Sequence, residues 1–254
     1  MDKANTREVA VVVGATGAFG QAIVRRLAAA DLDIVAVARS VDSLAALREQ
    51  VPGLVPCAAD ISADEAVAAI AAAVERRPVR MVVHGPGVGV AGGILGAPTA
   101  TLVDAVNIKV GGLLRLVRAV DGHLTAGARL VAIGGHYGFE PTAYAASAGV
   151  ANAALVNAVR QLSLAYGARG ITAHLVAPGP ADTERLRRVA ADRARLRGIT
   201  VDEVLAEMRA DSSIGRFTTP AQVAWAVALL LAPEADAMTG SSLMLDSGRR
   251  RGLP

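Results

Sequence analysis

Glu8-Val9-Ala10-Val11-Val12-Val13, running into Gly14-Ala15-Thr16-Gly17-Ala18-Phe19-Gly20, is the stretch that decides the fold. Its first half is a continuous apolar run rich in β-branched residues, which predicts a strand buried on both faces. Its second half is a turn with a glycine at every third position. Ile23, Val24 and Leu27 then recur at helical spacing between Gln21 and Ala30. Such glycines let the backbone pass close to a pyrophosphate, and the helix N-terminus beyond them favours negative charge. A glycine-rich turn alone also fits a merely tight strand-to-helix connection. Its place directly after the first buried strand favours a phosphate cradle.

The same alternation continues outward. Asp33 to Ala38, Leu54 to Cys57, Val79 to Val83, Ala128 to Ile133, Ile171 to Val176 and Ser242 to Leu245 predict six further strands. Helical patterns separate them around Leu44 and Leu47, from Ser62 to Arg76, Thr101 to Val120 and Tyr144 to Tyr166, and after Pro220. Ser62 with Glu65 three residues on has capping-box spacing. Apolar strands alternating with helices predict one α/β domain over residues 1–254, a doubly wound parallel sheet with helices on both faces. Ligands of such sheets sit beyond the carboxyl ends of the strands, where strand order reverses.

Composition removes several classes. The single cysteine, Cys57, makes neither an internal disulfide nor a cysteine metal site. His84 and His123 have no second ligand at metal-binding spacing, so no metal is expected. No apolar span reaches membrane length and no leader pattern opens the chain, which predicts a cytoplasmic protein without a membrane partner. The net charge of +3 is small, Arg249-Arg250-Arg251 is the one basic run, and no sustained basic face suggests nucleic acid.

Over its whole length the chain resembles the short-chain dehydrogenase/reductase family, whose fold is Rossmann-like. The resemblance implies a dinucleotide held by Gly14, Thr16, Gly17, Phe19 and Gly20. Arg39 and Ser40, ending the second strand, match the position where the family binds the 2′-phosphate of NADP, which implies NADP(H). Asp60-Ile61 matches the pair that contacts adenine. Gly85 and Gly87, in His84-Gly85-Pro86-Gly87, replace the usual Asn-Asn-Ala-Gly and would line the cofactor through backbone. Pro178, Gly179, Ala181 and Thr183 resemble the stretch that holds the nicotinamide carboxamide. A substrate lid is implied at about 182–214.

The family's proton donor is a Tyr, with a Lys one helical turn later, a Ser before both and an Asn on the preceding helix. Asn107, in Val106-Asn107-Ile108-Lys109, matches the Asn. For the others two registers compete. A local one takes Tyr144 as the acid and leaves Ala148 at the Lys place, but needs an insertion in the helix. A gapless one, run back from Pro178-Gly179, puts Gly135 on the Ser, Ala148 on the Tyr and Asn152 on the Lys. An insertion would rotate the core face of a packed helix, so the gapless register is preferred. His136, Tyr137, Tyr144 and Asn152 are then the candidate replacements, with Glu140 beside them, and Asn152 would also bond the nicotinamide ribose.

The segment Asn152-Ala153-Ala154-Leu155-Val156-Asn157-Ala158 resembles an atypical branch of the family, the conjugate reductase of the bacilysin pathway. So does Thr183-Glu184-Arg185 with its Arg-rich lid. The expectation is an NADPH-dependent oxidoreductase reducing a conjugated C=C or an activated carbonyl. Inward-facing lid arginines would suit a carboxylate-bearing substrate. Two other classes stay open: a non-redox cyclase or isomerase on the same scaffold, and a nucleotide-sensing protein without catalysis. The family resemblance also implies a homodimer or homotetramer.

Overall fold

Seven parallel strands form the sheet, in the order β3-β2-β1-β4-β5-β6-β7. The computed structural model describes residues 7–89 and 92–252. The strands are β1 (Val9–Val13), β2 (Asp33–Ala38), β3 (Val55–Ala58), β4 (Val79–His84), β5 (Leu124–Ile133), β6 (Thr172–Pro178) and β7 (Ser242–Leu245). Side chains alternate across each strand. Val9, Val11 and Val13 therefore join Val35 and Val37 in one apolar cluster, while Ala10 and Val12 join Ile34 and Ala36 in another.

Helices cover both clusters. On one face lie α1 (Ala18–Ala28), α2 (Val41–Gln50) and, near the C-terminus, α9 (Pro220–Leu229). On the other lie α3 (Glu65–Val74), a long interrupted helix, and α6 (Ala146–Tyr166). The interrupted helix runs as α4 (Thr99–Val106), a π-helical turn (Asn107–Gly111) and α5 (Gly112–Val120). The result is a Rossmann-like α/β domain. No helix among the described residues is long and apolar enough to cross a membrane.

Two local expectations are corrected. The Ser62–Glu65 capping box does not form: α3 starts at Glu65 behind Asp64, without a side-chain cap. Ser62 instead gives its hydroxyl and its N–H to Asp60 Oδ1, at 2.7 and 3.0 Å. The helix expected from Tyr144 begins at Ala146, which leaves Tyr144 in the preceding loop.

The segment beyond β6 folds as α7 (Glu184–Arg197) and α8 (Val201–Ala210). Leu186, Ala190, Ala194, Val204 and Met208 give this helix pair its own small core. Thr183 caps α7, and a Thr200–Glu203 capping box opens α8.

Candidate active site

Strand order reverses between β1 and β4, so their carboxyl ends part and leave a crevice. The glycine turn sits there. Gly14 N–H donates to Val37 O and Gly85 N–H to Val13 O, each at 2.9 Å, which pins both loops to the sheet. Gly14 has φ +79° and faces the Gly85 backbone, so a side chain there would be strained and crowded. At Gly20 a Cβ would lie 2.1 Å from Gly14 O. Backbone packed this closely is a cradle that only glycine permits.

From that turn a cavity of about 460 Å³ extends to α7. Its walls are the Gly85–Val88 loop, Ile133 to Tyr137 after β5, Ala148 and Asn152 on α6, the Pro178–Ala181 loop, and α7. Ala148 and Asn152 lie one turn apart on an unbroken α-helix and face the cavity together. Asn152 is buried, and its Oδ1 accepts no hydrogen bond among the described residues. An orphan acceptor beside a glycine cradle fits a ligand hydroxyl.

Opposite the cradle, the Tyr137 and Tyr144 hydroxyls are 2.7 Å apart. The Arg193 guanidinium, from α7, lies 3.7 Å over the Tyr144 ring. Burial acts upward on both phenols and prevails at Tyr137. At Tyr144 the Tyr137 hydrogen bond and the Arg193 cation outweigh burial, and the net shift is downward. Either hydroxyl can donate in this pair. One terminal nitrogen of Arg193 is buried without an acceptor among the described residues. Arg185 gives its guanidinium to Val88 O, tying α7 to the β4 loop. His136, buried beside Tyr137, is lowered to about 4 by burial and by the Arg249 charge, so it is neutral at pH 7.

The cavity floor holds Lys109, from the π turn, only 4% exposed. Its Nζ donates to Ile133 O at 2.8 Å. The turn that carries it is braced from three directions. Asn107 donates to Ser62 O at 2.9 Å, Arg115 donates to Asn107 Oδ1 at 2.9 Å, and His84 Nε2 meets Ile108 O at 2.9 Å. Burial, then the Arg185 charge, lowers Lys109 to about 7; burial, then Lys109, lowers His84 to about 3.

A family model described as "Enoyl-(Acyl carrier protein) reductase" matches residues 14–250. A Streptomyces coelicolor protein assigned as a ketoacyl reductase is 30% identical, over 95% of this chain and 96% of that one. Among solved structures, a point variant of the actinorhodin polyketide ketoreductase with NADPH superposes with a TM-score of 0.88 and 26% identity, covering 97% and 98% of the two chains. The chain belongs to the short-chain dehydrogenase/reductase family. YwfH, an NADPH-dependent reductase involved in bacilysin biosynthesis, shares the fold at a TM-score of 0.88 and 19% identity, over 97% and 100% of the chains.

Within this short-chain oxidoreductase, the sequence-predicted residues fall into three groups. Gly14, Gly17, Phe19, Gly20, Gly85, Gly87, His136, Tyr137, Tyr144, Asn152, Pro178, Gly179, Ala181 and Thr183 line the cavity. Arg39, Ser40, Asp60 and Ile61 lie outside it at the ends of β2 and β3; Arg39 is exposed, without an ion-pair or hydrogen-bond partner among the described residues. Thr16 and Asn107 do not reach it. Thr16 gives its carbonyl to Gln21, and the Asn107 amide is spent on Ser62 and Arg115. Glu140 turns away to accept from the N–H groups of Arg251 and Gly252. Lys109 escapes a reading by family correspondence because it matches none of the expected positions. One signal was present: among 26 Lys and Arg residues only Lys3 and Lys109 are lysines.

Proposed function

We propose that this protein is an NADPH-dependent reductase of a conjugated C=C bond or an activated carbonyl in a small, carboxylate-bearing metabolite. The observation that carries the reading is one cavity joining a glycine cradle to a helix turn with Ala148 and Asn152, where the gapless register puts the family's Tyr and Lys. The backbone from Gly14 to Gly20 would hold the pyrophosphate, with Thr16 closing the turn. Arg39 and Ser40 would hold the 2′-phosphate, Asp60 and Ile61 the adenine. Gly85 and Gly87 would lie along the dinucleotide, and Pro178, Gly179, Ala181 and Thr183 would fix the carboxamide. Asn152 Oδ1, buried without a donor among the described residues, would accept from a ribose hydroxyl. A free guanidinium at the end of β2, where NAD users place a carboxylate, favours NADP(H), as does NADPH in the actinorhodin ketoreductase.

When bound, the reduced cofactor supplies hydride. Replacing the Tyr by a methyl group removes a general acid of the ordinary kind, which contributes ~100- to 10,000-fold. Electrons entering a conjugated carbonyl spread into an enolate that needs directed donors more than a strong acid. Tyr137, Tyr144 and neutral His136 supply polar contacts on that wall. Arg193, with an unpaired nitrogen, and Arg185 and Arg188 beside it favour a carboxylate head group. We also place the enzyme in the cytoplasm as a homodimer or homotetramer, paired through α4–α5 and α6. Val103 on α4 and Val150 and Leu164 on α6 are exposed apolar residues on those helices.

Rapid mixing with NADPH and a panel of carboxylated enones, dienones and activated ketones tests the reading. Loss of nicotinamide absorbance with at least one acceptor is expected. NADPH binding without oxidation by any acceptor would overturn it.

A further inference from the structure

We infer that Lys109 is the proton donor of this site, delivered from the π turn of the neighbouring helix instead of from α6. The inference rests on the reductase reading above. Lys109 Nζ spends one hydrogen bond on Ile133 O, two residues before Gly135, and an ammonium has three to give. The remaining donors face a floor shared with Gly134, Gly135, Ala148 and Asn152, all short or neutral. No ion pair among the described residues includes Lys109, although one engages Arg115, which bonds Asn107 on the same π turn. An unpaired cation buried this far is costly to hold, and such sites mark function more often than packing does.

The chain's own usage sharpens the point. With only two lysines among 26 basic residues, arginine serves almost everywhere a plain cation is needed. A guanidinium does not release its proton in proteins; a buried amine does. π turns frequently mark functional positions in helices, and this one is held by Asn107, Arg115 and His84. The charged and titratable groups acting on Lys109 are Arg185 from α7 and His84 from β4, while His136, Tyr137 and Tyr144 from the loop after β5 line the same cavity. Burial, then the Arg185 charge, leaves the ammonium at about 7, and burial leads in keeping His84 and His136 neutral.

The step balances simply. The substrate carbon receives hydride, a hydrogen nucleus with its electron pair, from the reduced nicotinamide dinucleotide. The displaced π pair moves to the substrate oxygen. There an O–H bond forms as an N–H bond of Lys109 breaks, and the free amine regains a proton from solvent.

Competitive labelling of the wild-type enzyme with trace acetic anhydride, read by mass spectrometry, tests this without turnover. Only Lys109, Lys3 and the α-amine are expected to react at nitrogen. Lys109 reactivity should rise with a midpoint near about 7 and fall when NADPH is added, while an added Nα-acetyl-lysine standard follows the ordinary lysine value of about 10.4. In turnover, kcat should decline above that midpoint. Lys109→Met and Lys109→Arg should each lose ~100-fold or more in kcat, Lys109→Arg without the alkaline decline, and both should keep NADPH affinity. A labelling midpoint near that of the lysine standard, or Lys109→Met turning over at the wild-type kcat, would overturn the donor assignment alone. Wild-type enzyme inert toward every acceptor would overturn the reductase reading and proton donation with it.

Discussion

The two walls of the cavity are built by different means. The wall at β1 is backbone: Gly14, Gly17 and Gly20 shape it, and hydrogen bonds to Val37 and Val13 hold it. The wall opposite is side chain: Lys109 from a π turn, Tyr137 and Tyr144 from a loop, Asn152 from α6 and Arg193 from α7. Backbone shape follows from which residue type a position tolerates, so it leaves a mark in sequence that survives divergence. Side chains reaching one point from several elements leave no common spacing. The first wall is therefore expected to fail abruptly when altered, and the second by degrees.

Gly20→Ala is the sharpest way to break that contrast. Its methyl would sit 2.1 Å from Gly14 O and 2.7 Å from the Ala15 backbone, which no rotamer change relieves. Overpacking costs typically ~1–3 kcal/mol, and NADPH binding measured by fluorescence titration should weaken more than ~100-fold (~2.7 kcal/mol). Gly17→Ala makes the internal control, because its Cβ would meet Gly14 O at an ordinary 3.4 Å. That variant should melt like the wild type in urea. Equal NADPH affinity in Gly20→Ala and the wild type would show that close approach is not what makes the cradle.

How much was legible follows the same division. Seven strands and their alternation with helices were readable because period and apolar runs report burial directly. The failures are local competitions. Ser62 serves the Asp60 carboxylate instead of capping α3, and both roles suit a serine a few residues after a strand. Asn107 matches the family's Asn, yet its amide braces the π turn instead of facing the cavity. The π turn itself has no signature in Asn107-Ile108-Lys109-Val110-Gly111, so the direction of Lys109 could not be read. Tyr144 and Arg193 stand far apart in the chain and are brought together by tertiary packing, which no helical or strand period links.

His84 joins the two walls, ending β4 beside Gly85 while its ring supports the π turn. It is lowered to about 3 by burial and then Lys109; His136 and His174 are lowered to about 4, burial leading in each. All three are neutral in the folded protein, whereas unfolded histidine binds a proton near about 6.5. The unfolded state thus holds more protons between these values, and stability falls as pH drops from about 6.5 toward about 4. Several kcal/mol should be lost across that window, read as a falling urea midpoint. His84→Gln, which keeps a donor for Ile108 O, should flatten the dependence. Parallel curves for variant and wild type would place the acid sensitivity elsewhere.

On the side-chain wall, Arg193→Ala should raise KM for a carboxylated acceptor by ~10- to 100-fold, the worth of a charge-assisted hydrogen bond. The corresponding methyl ester should be affected little, and kcat should hold. A kcat loss at unchanged KM would instead make Arg193 act through Tyr144, on whose ring it lies.

The smallest effect belongs to Arg39, on the backbone-built side but outside its close-packed turn. It is exposed and has no ion pair among the described residues, so removing it costs the fold nothing that packing supplies. A solvated guanidinium that gains a phosphate partner only in the complex should contribute modestly and in a salt-dependent way. Arg39→Ala should therefore weaken NADPH by ~10-fold (~1.4 kcal/mol) and leave NADH unchanged, the gap closing as ionic strength rises. If both nucleotides weakened equally, Arg39 would be reading the adenine end by shape, and the exchange of a carboxylate for an arginine at the end of β2 would carry no preference for NADP(H).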